Sequence, residues 1–165
     1  MQPLSEDQVK SALGPDTRIL KYGDLRNYET IDDLLPNDND FVIILLEEEQ
    51  NRGHWTCLMK PRGKYYYFNS YGCKFDDDLS VIPRCIRRIL GEDRKEITRM
   101  LDGKTCGYNK HKFQADKTQV CGRYCVLACT MICKMMYSPE DFEDFLLDKK
   151  KDSCVDQLVA SWVPI

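Results

Sequence analysis

The sequence predicts an α+β domain in which an antiparallel or mixed central sheet is flanked by helices. Three observations predict it. Three strand-like segments lie between residues 41 and 70, joined by short turns. A helix-length apolar segment covers 119–137. Capping signals open helices on both sides of the strand cluster. The 165 residues are the size of one domain, read as an N-terminal helical arm at 1–40, a core at 41–136 and C-terminal helices at 137–165.

Each element has a local reason. Ser5 and Gln8 form a Ser-x-x-Gln capping box that opens a first helix, and Gly14 is placed to stop it. Residues 15–40 are polar and turn-rich, with a short helix expected at Thr30–Leu35, ended by Pro36. Phe41–Leu46 is a continuous apolar run, the pattern of a strand buried on both faces. His54–Lys60 alternates and reads as a second strand, and Tyr65–Ser70 as a third. The turns EEEQNRG and PRGK between them give an antiparallel meander. Tyr66 and Phe68 share one face of the third strand, Tyr65 and Tyr67 the other. Asp76–Asp78 supply acids for the start of a helix over Leu79–Leu90, with Pro83 in its first turn and Gly91 closing it. Residues 93–102 predict a further short helix and 104–113 a fourth strand. Ser138-Pro139-Glu140 opens a helix to about Asp148. KKKD at 149–152 reads as a charged break before a last helical or irregular segment.

Composition narrows the function. The chain has 24 Lys and Arg against 27 Asp and Glu, a net charge of -3, with a pI near 5.5. That excludes a globally basic nucleic-acid binder. No apolar run is longer than the six residues of Phe41–Leu46, whereas spanning a bilayer takes about 20, so no membrane helix is expected. The start MQPLSEDQVK lacks a basic stretch followed by an apolar one, so no signal peptide and no secretion are expected. Nine cysteines, an odd count, are then expected as thiols in a reducing compartment. A histidine-dependent enzyme has two candidates, His54 and His111.

Cys121 stands where the apolar helical segment begins. The positive end of a helix favours a thiolate, and the first-turn N–H groups are free to hold an oxyanion. Gly122 after it allows a substrate backbone to come close. A nucleophilic cysteine needs a base, and the base an orienting group. His54 opens one predicted strand, next to Trp55, and Asn69 ends the neighbouring one. Gln114, seven positions before Cys121, offers a side-chain amide as second oxyanion donor, with Gln119 a competitor. Taken singly, each has a plainer reading: a buried thiol, a strand histidine, a turn asparagine.

Taken together and in order, GHW (53–55), YFNSYG (67–72), Gln-x6-Cys-Gly (114–122) and CGRYC (121–125) resemble the adenovirus maturation protease and its relatives. These include proteases of virophages, polinton-type elements and large DNA viruses. More distant are the proteases that process SUMO- and ubiquitin-like proteins. The order His, Asp or Asn, Gln, Cys is the reverse of papain's. The resemblance covers residues 41–136 well, the first forty loosely and the last thirty hardly at all. It implies Cys121 as nucleophile, His54 as general base, Asn69 as third triad member and Gln114 as the oxyanion glutamine. Trp55 and Gly122 would be substrate-binding residues, Trp55 walling a narrow channel for small residues. One departure stands out: close relatives carry Asp in FDSYG where this chain has Asn69. A neutral amide fixes the imidazole tautomer but stabilises imidazolium less than a carboxylate. Asp76–Asp78 are fallback carboxylates.

What the resemblance further implies is a monomeric cysteine endopeptidase that matures viral capsid or core precursors after small residues, at Gly-Gly or Gly-Xaa sites. It would work in the host cytoplasm or a virus factory and be packaged in the virion. The residues require no cofactor; the resemblance implies an activating peptide or DNA. A basic set (Arg84, Arg87, Arg88, Arg94, Lys95, Arg99, Lys110, His111, Lys112) is weak support for DNA. Two other readings compete: an isopeptidase acting on ubiquitin-like conjugates, and a non-catalytic binding module on the same fold. No metal site is expected. Cys121, Cys125, Cys129 and Cys133 fall on one helix face, and four ligands in line cannot surround a tetrahedral ion.

Overall fold

A computed structural model of the chain describes residues 3–49, 52–116 and 118–163, leaving aside the side chain of Arg52. The tip of the expected EEEQNRG turn, residues 50 and 51, lies outside the described residues. In chain order the helices are α1 (Glu6–Leu13), α2 (Ile31–Leu34), α3 (Arg84–Leu90), α4 (Glu96–Leu101), α5 (Cys121–Ala128), α6 (Pro139–Asp152) and α7 (Val155–Trp162). The strands are β1 (Arg18–Lys21), β2 (Phe41–Glu49), β3 (Arg52–Met59), β4 (Tyr65–Phe68) and β5 (Cys106–Tyr108).

The strands form one mixed sheet in the order β1-β2-β3-β4-β5. The central three make the expected antiparallel meander, with Leu45 opposite Trp55 and Cys57 opposite Phe68. Both edge strands run parallel to their neighbours. β1 escaped the sequence reading because its four residues, RILK, are only half-buried and show no alternation. It places part of the first forty residues in the sheet itself.

Both faces of β2 are covered, which explains its unbroken apolar run. Ile43 and Leu45 face a core shared with α5, and Trp55, Cys57, Met59, Tyr66 and Phe68 join them. Val42, Ile44 and Leu46 face a second core with Leu58, Tyr67 and the side chains of α2 and α4. Each such aliphatic side chain, taken fully out of water, contributes about 1.5–3 kcal/mol. Cys125 and Cys129 are fully buried in the first core, beside Cys57.

Several elements differ from expectation for identifiable reasons. The helix expected over 79–90 is two pieces, a 3-10 turn at Asp77–Val81 and α3, with Pro83 at the N-cap. Proline pushes the residue before it out of the helical region, and Ile82 is accordingly extended (φ -94°, ψ 128°). The acids do not cap α3. Asp76 reaches α4 instead, where its Oδ2 accepts from the N–H and hydroxyl of Thr98 at 2.7 and 2.6 Å. Its Oδ1 accepts from Tyr22 at 2.5 Å. The 119–137 segment is α5 followed by a π-helical stretch at Cys129–Lys134. The KKKD segment does not break a helix. Lys149–Lys151 form the last turn of α6, where cations suit the negative end of the helix. The expected capping box at Ser5 is present, and Thr30 forms a second one at the start of α2.

Candidate active site

Two secondary-structure ends meet at one point. β3 enters the sheet beside a shift of register between Glu47 and Glu49 of β2. Gly53 makes this entry sterically feasible, because a Cβ there would lie 1.9 Å from the Leu46 carbonyl oxygen. The next residue, His54, therefore sits at the sheet's end. α5 starts at the same end and packs against β3. Its N-cap is Val120, whose side chain cannot cap, so the first-turn N–H groups stay available to a negatively charged atom. Cys121, the first residue of the helix, is 7% exposed. Its Sγ accepts the Trp55 N–H at 3.4 Å. Cys121, His54, Trp55 and Tyr71 line one cleft of about 440 Å³, together with residues 3–6.

His54 is held from two sides. Its ring stacks on Tyr71, centroids 4.7 Å apart. Its Nε2 lies 2.8 Å from Asn69 Oδ1. The asparagine is itself fixed: Oδ1 also accepts the Tyr71 N–H at 2.9 Å, and Nδ2 donates to Asp78 Oδ2 at 2.9 Å. With Oδ1 facing the ring, Nε2 carries the imidazole proton and Nδ1 is the basic nitrogen. The loop behind is clamped by Asn109, fully buried, which accepts the Asn69 N–H at 3.0 Å and donates to the Asn69 carbonyl at 2.6 Å. Gly72 closes the turn at φ +78°, its position against His111 backbone leaving no room for a Cβ.

Burial sets the protonation of the pair. It pushes the His54 imidazole down to about 4, against the smaller upward pull of the Asn69 bond. It pushes the Cys121 thiol up, although the N–H groups of Trp55, Gly122 and Cys121 pull the other way. Desolvation thus outweighs the helix start that the sequence reading expected to favour thiolate. At neutral pH Cys121 is then a thiol and His54 a neutral imidazole, both on the same cleft.

The remaining predicted residues are placed as follows. Trp55 lines the cleft. A Cβ on Gly122 would meet Leu4 Cβ at 3.3 Å and Trp55 Cδ1 at 3.5 Å, so its missing side chain makes room for this chain's own N-terminal segment. Gln114 is buried; Ser70 donates to its Oε1 at 2.5 Å, and its Nε2 donates to the Thr118 carbonyl at 2.9 Å. Gln119 is exposed and lines the cleft. The basic set is spread over α3, the segment between α3 and α4, α4 itself and the 110–112 loop; within it Arg99 pairs with Glu96 at 2.9 Å and Lys112 with Asp116 at 2.5 Å. Among the described residues no group of three or more His, Cys, Asp or Glu could hold a metal ion. No helix among them is long and apolar enough to cross a membrane. Sequence reasoning missed the contacts of Tyr71 and Asn109, and offered Asp78 both as a helix-start acid and, with its neighbours, as a fallback carboxylate; the structure sets it against Asn69. Asn109 carries little local signal, since apart from the nearby His111 carbonyl its partners are the backbone groups of Asn69 in a distant turn.

The chain is 36% identical over 129 residues to a protein of Sputnik virophage named uncharacterized protein V9, spanning 75% of this chain and 73% of that one. The chain belongs to the V9 family. No family model matches it. The kinship is thus to a viral protein.

Proposed function

We propose that this V9-family protein is a cysteine endopeptidase that cleaves viral capsid or core precursors after small residues, at Gly-Gly or Gly-Xaa sites. The observation that carries the reading is the oriented histidine: its Nε2–H is committed to Asn69 at 2.8 Å, which leaves Nδ1 as a base in the cleft that Cys121 lines. In the proposed reaction the thiol passes its proton to His54 Nδ1 as Sγ attacks the scissile carbonyl carbon. The oxyanion is held by the Cys121 backbone N–H and by Gln114. Ser70 fixes the Gln114 oxygen, which turns its amide nitrogen toward the segment leading into Cys121. His54 then gives the proton to the leaving amine, and a thioester remains on Cys121. Water, deprotonated by His54, attacks the thioester and frees the carboxylic acid and the thiol. The low proton affinity of the half-buried imidazole suits this sequence, because His54 is neutral and able to accept at physiological pH. Leu4 and Trp55 against Gly122 narrow the cleft beside the nucleophile, which fits small residues at the cleavage site.

The test is a cleavage assay with peptides carrying Gly-Gly-Xaa and Gly-Xaa sites, with and without DNA, and with electrophilic ubiquitin and SUMO probes in parallel. Cleavage by the protein that disappears in Cys121→Ala and in His54→Ala is the expected result. Labelling of Cys121 by a ubiquitin-like probe, without peptide cleavage, would transfer the reading to an isopeptidase. Undiminished cleavage in either variant would remove the proposed pair from the mechanism.

A further inference from the structure

The third triad position holds an amide where the resembling proteases carry a carboxylate, and a carboxylate lies directly behind it. Asp78, 6% exposed, sits in the 3-10 turn Asp77–Val81, anchored by Leu79 at 2% and Ile82 at 4%. Both of its side-chain bonds fall on Oδ2: Tyr67 donates its hydroxyl at 2.7 Å and Asn69 its Nδ2 at 2.9 Å. We propose that Asp78 is the carboxylate of the His54 relay, set one residue further out, with Asn69 as a neutral amide that transmits its charge and fixes its direction. The inference rests on the peptidase reading of Cys121 and His54. In it Asp78 is a positioning residue, since it touches Asn69 and not the reacting atoms.

The argument is one of donors and acceptors. Turned over, the Asn69 amide would set its NH2 against two donors, the Tyr71 N–H and the His54 Nε2–H, and its oxygen against the Asp78 carboxylate. Only one orientation satisfies all four groups, so only one imidazole tautomer fits. The negative charge on Oδ2 polarises the amide, which enriches Oδ1 and strengthens the bond to His54 Nε2–H as imidazolium forms. The same geometry explains why the amide belongs here: Asn69→Asp would place two carboxylates in contact. Exchanging the two residues keeps the single charge and the bond between positions 69 and 78, with the donor now on residue 78, while the Tyr67 hydroxyl that shares Oδ2 turns to accept instead of donate.

The experiment compares wild type, Asp78→Asn and the double exchange Asn69→Asp/Asp78→Asn, with two readouts. One is the Nε2–H resonance of His54 in protein labelled with ¹⁵N-histidine, assigned with His111→Gln, which needs no turnover. The other is kcat on a cleaved peptide. Wild type should show the Nε2–H tautomer with a downfield proton. In Asp78→Asn that proton should move upfield and kcat fall at least about tenfold. In the double exchange both should return, kcat to within about threefold of wild type. An unmoved resonance and unchanged kcat in Asp78→Asn overturn the proposal, as does a folded double exchange that stays at the level of Asp78→Asn. If the double exchange does not fold, the Asp78→Asn resonance alone decides. A wild type without turnover refutes the peptidase reading, while the resonance still reports on the relay, so the two failures are separable.

Discussion

Alkylation of Cys121 by iodoacetamide as a function of pH separates two opposed physical effects at the start of α5. The helix start and three nearby N–H groups favour thiolate, burial favours thiol, and in this structure burial prevails. An ordinary thiol at 9.0 is about 1% thiolate at pH 7, and Cys121 stands above that value, so its thiolate fraction is smaller still. The rate at Cys121 should therefore rise about tenfold per pH unit between about pH 6 and pH 9, with no plateau. His54 is neutral over this whole range, since burial holds it at about 4. His54→Ala should then leave the alkylation rate within about twofold, because no imidazolium is present to stabilise a thiolate. Rates must be read peptide by peptide in the mass spectrometer. Cys85 and Cys154 are exposed and serve as fast references, while Cys57, Cys125 and Cys129 are buried and should stay unmodified in the native protein. A plateau between about pH 5 and pH 8 that vanishes in His54→Ala would refute the reasoning. It would show a resting thiolate–imidazolium pair and hence that helix field and hydrogen bonds exceed the desolvation cost.

Four further outcomes follow from the same geometry. The depressed His54 contributes stability that is present above its unfolded value of 6.5 and lost as pH falls toward 4; urea melts should show wild type losing about 3 kcal/mol relative to His54→Ala over that window. Asp78 runs the other way, raised to about 6 by burial, so it gains stability on acidification and the comparison with the variant is needed to isolate the histidine. Asn69→Asp places a second carboxylate where Nδ2 lies 2.9 Å from Asp78; at an effective dielectric near 20 the repulsion is about 6 kcal/mol, so the pair holds one proton, and the variant's melting temperature should fall from pH 6 to pH 9 more than wild type's does. Gln114→Ala should lower kcat by about 10²–10³, with Gln119→Ala near wild type; the reverse pattern would move the oxyanion role to Gln119. Gly53→Ala must displace the Leu46 carbonyl from 1.9 Å, at a cost of about 3 kcal/mol or more, seen as a lowered urea midpoint; an unchanged midpoint would mean the β2–β3 entry is loose.

Much of this protein was legible in one dimension because the signals are local. The capping box at Ser5 and the helix opened by Ser138 each depend on groups three residues apart. The run Phe41–Leu46 announces a strand covered on both sides whatever covers it. His54, Asn69 and Cys121 stand out in the sequence at strand ends and a helix start and through the resemblance, and the fold brings them to one end of the sheet. What the sequence could not determine is whatever depends on who lies across the fold. β1 is a strand because β2 lends it a parallel partner, not because RILK demands it. Asp76 and Asp78 form one acidic run, yet one caps α4 while the other holds Asn69. The charge of Cys121 is the clearest case: chain position places it at a helix start that favours thiolate, and only the packing of Trp55, Leu4 and the sheet removes the water that would have let that preference win.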